Sequence, residues 1–307
     1  MTALLVRGMH GLGDNLHQRA VLRQLMQRHE VWLESSWVAP YHDLVAQGLK
    51  VIQKPTALRT QAKNAQRERR QFTKARPPRS AKPLQVWYRP DEVRAAGSVL
   101  GAMCRNTGTD FEASDFRMPV PDRWRDRARA LIGAPDRPIM VYRPLVERRE
   151  WGGCAARNPN RFDYTALYAA IRAGFHVISI ADLVPNVEWL ASAPADADQE
   201  FHRGEFDFEA LAGLFSLASL VYCSPGFAVI LAQAVGAAAA CIFGHYERAY
   251  SFSAGARFSP YLGIEPINPC DDFRHDASRD KSIDLPAARR RLETFAATAA
   301  RGRAVAA

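Results

Sequence analysis

The chain has 307 residues, of which 48% are hydrophobic and 24% are charged, and its 41 Lys/Arg against 32 Asp/Glu give a formal net charge of +9. This length can hold two ordinary domains, while the composition and the five scattered cysteines, none in a C-x-x-C pair, exclude a disordered chain, a disulfide framework and a zinc site. No apolar run has the length of a membrane span and the first residues lack the layout of a secretory signal, so we expect a cytoplasmic protein.

Residues 4–26 have the pattern of a strand, a glycine-containing turn and a helix. The apolar run 4–6 is followed by glycines at positions 8, 11 and 13, and then by apolar residues at helical spacing. Such a unit opens an α/β domain and places its turn at the carboxyl end of the first strand, where ligands bind in doubly wound sheets. Asp14 lies in that turn. It can be an ordinary acid at a helix start or a general base at the mouth of a cleft.

Further strands and helices alternate through the rest of the chain. In the first half we predict strands at 31–33, 51–52 and 84–88, helices at 41–47, 58–70, 93–104 and 124–132, and a proline-rich loop at 75–83. In the second half we predict strands at 138–142, 175–180, 220–222 and 238–243, and helices at 164–173, 210–218, 226–235 and 285–300. The alternation predicts two tandem Rossmann-like domains with parallel sheets. We place them at 1–135 and 136–270, with a boundary near 134–137, and expect the tail 271–307 to pack back on the first domain.

The segment 54–89 carries the charge imbalance of the whole chain. It contains eleven Lys/Arg against one acid, Glu68, so its net charge is +10 and the remainder is close to neutral. Its helical part has almost no apolar face, so we expect it to be solvated or to lie against an anion. The candidate acceptor-binding residues are Arg67, Arg69, Arg70, Lys74, Arg76, Arg79 and Lys82.

Two stretches carry a family resemblance. The motif V-R-G-x-x-G-L-G-D-N at 6–15, with the following R-x-x-L-R-x-L helix, resembles the N-terminal motif of glycosyltransferase family nine, the ADP-heptose:lipopolysaccharide heptosyltransferases and their relatives. The stretch 211–244 resembles that family's helix-strand-turn-helix-strand signature. The resemblance implies a GT-B fold, in which two Rossmann-like domains face a cleft, with a catalytic Asp that maps onto Asp14 after Gly13.

The resemblance also implies where a sugar nucleotide binds. A strand that ends at Ser224 and Gly226 and opens a small-residue helix offers free N–H groups to a diphosphate. The basic residue that binds donor phosphates in the family matches Arg157, with Arg143 and Arg149 as basic neighbours. The remaining donor candidates are Glu205 for ribose hydroxyls and His245 at the border of the site.

Two histidines flank the candidate base. His10 and His17 can orient Asp14, replace it as base, or simply bond to loop backbone. The family's Asp and His of the second signature are absent here, where Cys223 and Pro225 flank Ser224. No D-x-D motif occurs in the cleft segments, so we expect no metal and no cofactor beyond a nucleotide-sugar co-substrate.

Three functions remain open at this point. The preferred one is an inverting, metal-independent glycosyltransferase with a polyanionic acceptor: either a hydroxymethylated base in DNA, which the charge density favours, or a phosphorylated glycolipid of lipopolysaccharide core synthesis. The second is an NAD-dependent oxidoreductase, because Gly11 and Gly13 after a strand partly match the dinucleotide fingerprint, although Leu16 replaces the third glycine. The third is a non-catalytic nucleic-acid-binding protein.

Overall fold

The computed structural model describes residues 2–149, 158–191, 196–269 and 280–304. The chain divides into two compact units, unit 1 (Met1–Pro119) and unit 2 (Val120–Ala307). The division precedes the boundary that the sequence suggested near 134–137, because the helix Asp122–Ile132 packs on a helix of unit 2. There the Trp124 ring meets Phe208 edge-on, with 6.1 Å between the centroids.

Unit 1 is an α/β unit with one parallel sheet. Its elements are β1 (Thr2–Arg7), α1 (Leu12–Met26), β2 (His29–Ser35), α2 (His42–Ala46), β3 (Lys50–Gln53), α3 (Arg59–Arg67), β4 (Lys82–Gln85), α4 (Pro90–Ala96) and α5 (Val99–Thr107). The four strands pair in parallel in the order β3-β2-β1-β4. The chain therefore moves outward from β1 to β3 and then adds β4 on the other side of β1. The topological switch point of unit 1 lies between β1 and β4.

Polar side chains as well as apolar ones are buried along α1. The Arg19 guanidinium is fully buried and binds both carboxylate oxygens of Asp43 at 2.8 Å. Arg23 donates to the same carboxylate at 3.1 Å and to the carbonyl of Arg117 at 2.7 Å, and Arg19 donates to that carbonyl at 2.9 Å. The two arginines of the R-x-x-L-R-x-L motif thus fasten α1 to its neighbours, since a buried charge needs such partners.

Unit 2 is a second parallel α/β unit. Its elements are α6 (Asp122–Ile132), β5 (Ile139–Tyr142), β6 (Val146–Arg148), α7 (Arg161–Ile171), β7 (His176–Ile180), β8 (Glu188–Leu190), β9 (Gln199–Phe201), α8 (Phe208–Leu217), β10 (Leu220–Cys223), α9 (Phe227–Val235), β11 (Ala238–Ile242), β12 (Tyr261–Ile264) and α10 (Leu285–Ala304). Six strands pair in parallel in the order β12-β11-β10-β5-β7-β9, while β6 and β8 form a separate antiparallel pair. The switch point of unit 2 lies between β5 and β10.

Several elements differ from the prediction for local reasons. The helix predicted at 93–104 is two helices, because the Ser98 side chain accepts from the Gly101 N–H and starts α5 anew. Strand β4 begins earlier than predicted and includes Pro83, which is tolerated because β4 is an edge strand. The strands β6, β8, β9 and β12 were not predicted, since each is short and lies at an edge of the large sheet or in the two-stranded sheet, where a continuous buried apolar run is not required.

The C-terminal helix packs on unit 2. Ala288, Leu292 and Ala296 of α10 are buried in one apolar cluster with Tyr164 and Tyr168 of α7. The expectation that this helix packs back on the first domain is therefore corrected: its apolar stripe belongs to the core of the unit that contains it.

Candidate functional site

The loop between β1 and α1 is held by side chains on several sides. The Asn15 amide donates to the Gly11 carbonyl at 2.7 Å, and the Lys54 ammonium and the Gln61 amide donate to two further carbonyls of the loop at 3.1 and 2.7 Å. Asn15 is itself buried and accepts from the Tyr41 hydroxyl at 2.8 Å. The loop that precedes Asp14 is therefore preorganised by hydrogen bonds rather than by apolar packing.

Asp14 lies in the first turn of α1 and is partly exposed. The Tyr88 hydroxyl donates to its Oδ1 at 2.8 Å. Its Oδ2 lies over Gly11, so close that a Cβ on that residue would stand 2.6 Å from the oxygen. One carboxylate oxygen thus has a fixed donor, and the carboxylate occupies space that only a glycine leaves open. Gly13, the other half of the predicted pair, is buried in the same helical turn.

This carboxylate lies at the switch point of unit 1. Asp14 follows β1 and Tyr88 follows β4, and these two strands pair directly, with Arg7 opposite Gln85. The hydrogen bond between the two side chains therefore joins the loops that leave the sheet in opposite directions, which is where ligands bind in open α/β sheets. Tyr88 was not selected from the sequence as a candidate site residue. Tyr88 follows β4, which lies beside β1. The sequence does not reveal this strand order, so it could not show that Tyr88 lies near Asp14.

The two histidines have different surroundings. His10 is exposed, and its carbonyl is the one that accepts from Gln61. His17 is fully buried and packs edge-on against Phe116 with 5.0 Å between the ring centroids, and neither ring nitrogen has a hydrogen-bond partner among the described residues. Burial lowers the pKa of His17 to about 3. A neutral imidazole enclosed in this way cannot take a proton from a substrate, so His17 is a core residue rather than a catalytic one.

In unit 2, Arg143 directly follows β5 at the switch point. Its backbone N–H donates to the Tyr222 carbonyl of β10 at 2.9 Å, and its guanidinium lies over the Phe227 ring at 4.7 Å. Burial lowers the pKa of Arg143, although Asp182 after β7 acts in the opposite direction. In the ranges 2–149, 158–191, 196–269 and 280–304, no carboxylate forms an ion pair with it. A partly buried guanidinium without a carboxylate is suited to bind an anion.

The turn after β10 lies beside Arg143. Ser224 and Gly226 are partly exposed, Gly226 is the N-cap of α9, and Phe227 is the first residue of that helix. Gly226 has a φ of +143°, a region that L side chains rarely adopt, and apart from its chain neighbours no atom of the described residues lies within 4 Å of the Cβ that it lacks. A free helix N-terminus, an open turn and a guanidinium thus converge, which is the chemistry that holds a diphosphate.

The other donor candidates are less well supported by the geometry. Arg149 follows β6 in the two-stranded sheet and is exposed, whereas Arg148 is the basic residue that acts electrostatically on Arg143. Arg157 lies outside the described residues. Glu205 is exposed and accepts from the Arg203 N–H at 2.8 Å.

Two histidines also lie at the carboxyl edge of the large sheet. His245 is buried after β11. His202, after β9, exchanges a hydrogen bond with Ser179 at 2.8 Å. Burial lowers the pKa of His202, and the positive charge of Arg143 also lowers it. The strands β5, β9, β10 and β11 thus all deliver polar groups to one edge.

The basic segment is anchored rather than simply solvated. Glu68, its one acid, is buried and accepts from the N–H groups of Val38 and Ala39, while the Asn64 amide donates to the Ser36 carbonyl at 2.8 Å. The polar face of α3 is therefore the face that packs, which an apolar-periodicity argument cannot detect. The seven acceptor candidates are all exposed: Arg67, Arg69, Arg70, Lys74, Arg76, Arg79 and Lys82.

Beside this segment is an open pocket of about 380 Å³, lined by Lys54, Thr56, Gln66 and Arg69 among others. The Lys54 ammonium also donates to the Gly8 carbonyl, in the loop that precedes Asp14. Lys54 therefore both lines the pocket and holds the loop that precedes Asp14, within unit 1.

No cluster of three or more His, Cys, Asp or Glu side chains with the arrangement of a metal site occurs among the described residues. None of the helices in the described ranges combines the length and the apolar character needed to cross a bilayer.

The two parallel α/β units define the GT-B class of fold, and solved glycosyltransferases share it. The chain is similar to Escherichia coli ADP-heptose lipopolysaccharide heptosyltransferase II, with 11% identity over 97% of this chain and 99% of that chain and a TM-score of 0.55. It is similar to a family 9 glycosyltransferase from Veillonella parvula, with 12% identity, 97% of both chains covered and a TM-score of 0.57.

A third similar structure is the dodecameric iron-containing heptosyltransferase TibC of enterotoxigenic E. coli in complex with ADP-D-β-D-heptose, with 14% identity, 98% of this chain and 77% of that chain covered and a TM-score of 0.58. No protein-family model and no curated protein sequence matches the chain. These comparisons confirm the predicted fold class and the resemblance to family nine at the level of fold.

Proposed function

We propose that the protein is a sugar-nucleotide-dependent glycosyltransferase that transfers a sugar to a hydroxyl of a polyanionic acceptor. The observation that carries the proposal is the kind of group that lies at the switch point of each unit. Unit 1 offers the carboxylate of Asp14, whereas unit 2 offers the guanidinium of Arg143 beside the free N-terminus of α9. A base and a separate anion site are what an inverting transfer requires.

The reaction assigns one role to each group. Asp14 removes the proton of the acceptor hydroxyl, the acceptor oxygen forms a bond to the anomeric carbon, and the bond from that carbon to the diphosphate oxygen breaks. Arg143 and the N–H groups at the start of α9 stabilise the negative charge of the departing nucleoside diphosphate. Side chains and a helix dipole supply this stabilisation, and the proposed step uses no metal ion.

The exposed cations of unit 1 support an anionic acceptor. The side chains of six of the seven candidates, all except Arg67, form no ion pair and no hydrogen bond within the described ranges of the chain. Unpaired cations of this density attract phosphates over several ångströms. Because the similar structures include a lipopolysaccharide heptosyltransferase, we propose a phosphorylated glycolipid as the acceptor. DNA with a hydroxymethylated base is the second candidate, since the spread of cations over 67–82 suits an extended phosphate backbone.

The oxidoreductase hypothesis receives less support. A dinucleotide site needs a helix N-terminus free for pyrophosphate, but the N-terminal turn of α1 carries the Asp14 carboxylate, bonded to Tyr88. The non-catalytic hypothesis gives no role to the Asp14 carboxylate that accepts from Tyr88, or to Arg143, which has no carboxylate partner in the described part of the chain.

A donor and acceptor screen tests the proposal. The purified chain is incubated with a panel of mass-coded UDP-, GDP- and ADP-sugars together with either phosphorylated lipopolysaccharide core or hydroxymethylated DNA, and products are read by mass spectrometry. We expect one donor to transfer to one acceptor, with slower hydrolysis when no acceptor is present. Binding of NADH but of no nucleotide sugar would contradict the proposal.

A further inference from the structure

The Tyr88 hydroxyl contacts the candidate base directly, yet Tyr88 is not one of the groups that transfer a proton or stabilise charge in the proposed reaction. We propose that Tyr88 is the positioning residue of Asp14, a role that rests on the proposed transfer function. Its phenol donates to Oδ1 at 2.8 Å, so the carboxylate cannot rotate freely about its last bond. A base held in one rotamer reaches the productive geometry more often than a mobile one.

The backbone around Tyr88 is itself fixed on both sides. The Trp87 carbonyl accepts from the Asn106 amide at 3.1 Å, and the Arg89 N–H donates to Glu92 at 2.7 Å. The Asn106 amide also donates to the same Glu92 oxygen at 3.1 Å, which links the two supports. Tyr88 thus projects from a short segment that α4 and α5 hold in place, as a supporting shell for a reacting group requires.

The two oxygens of Asp14 have different surroundings. Oδ1 accepts from Tyr88, while Oδ2 lies over the bare Cα of Gly11. Tyr88 has a single hydroxyl proton to donate, and it is committed to Oδ1. In the reaction, the proton of the acceptor hydroxyl passes to Oδ2, the acceptor oxygen takes the anomeric carbon, and the diphosphate leaves with the bonding electron pair. Tyr88 neither gains nor loses a proton.

A purely structural role for the pair has different consequences. An acid in the first turn of a helix stabilises that helix whether or not a tyrosine bonds to it. If Tyr88 served only the fold, its replacement would lower thermal stability and leave the pH dependence of turnover unchanged. A positioning role affects kcat and the acidic limb of the pH profile instead, because a lost hydrogen bond to the charged carboxylate favours its protonation.

The test is Tyr88→Phe, which keeps the ring and removes the donor. We expect kcat to fall about tenfold with both KM values within about twofold, and the acidic limb of kcat to move to higher pH. In an Asp14→Asn background the same substitution causes no further loss, because both residues act through one carboxylate. The matched control is Tyr168→Phe, which removes a hydroxyl that donates to the Asp196 carbonyl at 2.8 Å, and it should leave kcat and the pH profile unchanged.

A second readout separates this inference from the proposed function. The carboxyl ¹³C resonance of Asp14, assigned by its loss in Asp14→Asn, is followed by NMR as a function of pH in the wild type and in Tyr88→Phe. We expect the titration midpoint to be higher in the variant, whether or not any sugar is transferred. If the wild type transfers no sugar but its titration midpoint still depends on Tyr88, the proposed transfer function is contradicted and the contact between Tyr88 and Asp14 is not. An unmoved midpoint, or wild-type kcat and pH profile in Tyr88→Phe, would overturn the positioning role.

Discussion

Gly11→Ala is a small substitution that acts through space on the Asp14 carboxylate, the proposed base. Gly11 has a φ of −63° and a ψ of 146°, which alanine adopts without strain. The added Cβ, however, would stand 2.6 Å from Asp14 Oδ2, so the carboxylate must retreat by roughly 0.5–1 Å. That movement breaks the 2.8 Å hydrogen bond from Tyr88.

The expected effects on activity and on stability differ in size. A displacement of this size costs about 10²-fold in kcat when the moved group is the base. Stability changes less, because the lost hydrogen bond to a charged but partly exposed group costs about 1.5 kcal/mol and the reduced freedom of the unfolded chain returns about 0.4–1 kcal/mol. Steady-state kinetics with the donor found in the screen and urea unfolding of the same preparation measure both quantities.

The control is Gly174→Ala, because apart from its chain neighbours no atom of the described part of the chain lies within 4 Å of the Cβ that Gly174 lacks, and its φ is not positive. It should leave kcat and unfolding free energy near those of the wild type. The reasoning would be refuted by a Gly11→Ala variant that turns over at the wild-type rate, or by one that loses activity only in proportion to the protein that unfolds.

Further predictions concern other parts of the two units. Arg143→Gln should weaken the binding of UDP or ADP at least tenfold in calorimetry, whereas Arg257→Gln, which removes a similar guanidinium stacked 4.8 Å from Phe258, should not; equal losses would contradict a phosphate site. Gly226→Ala should lower the unfolding free energy by about 1–3 kcal/mol, because its φ of +143° strains any L side chain, and an unchanged Tm would argue against that conformation. The pKa of His17 is lowered to about 3, so the unfolded chain takes up the proton first and wild-type stability, complete above pH 6.5, declines towards pH 3 by up to about 1.4 kcal/mol per pH unit. His17→Leu should remove that part of the pH dependence, and parallel stability curves for the two proteins would contradict the buried neutral imidazole.

The fold class was predictable because its signals are local. The apolar run of β1, the glycine turn and the helical spacing of α1 all lie within 26 residues, and α8, β10, α9 and β11 follow one another in the same way. The positions of Asp14 and of the turn at Gly226 at strand ends follow directly from this pattern. The sequence could not give the strand order, and therefore it could not show that β4 lies beside β1 and brings Tyr88 to Asp14.

Polar burial accounts for most of what the sequence did not reveal. A histidine near a candidate base looks catalytic, but His17 turns towards Phe116 in the core. A helix rich in Arg and Gln looks solvated, but Gln61 and Glu68 of that segment bond to the backbone of neighbouring loops. Such contacts join residues that are far apart in sequence, so composition and periodicity carry no trace of them.

The most direct test of the central claim compares Asp14→Asn with the wild type in single-turnover transfer and in nucleotide-sugar binding. The substitution preserves the shape and the position of the side chain but removes its ability to accept a proton. We predict that the rate of transfer falls by about 10²–10⁴-fold while the Kd of the nucleotide sugar stays within about twofold. Transfer at the wild-type rate would contradict the role of Asp14, and an equal loss of binding and of transfer would contradict the division of labour between the two units.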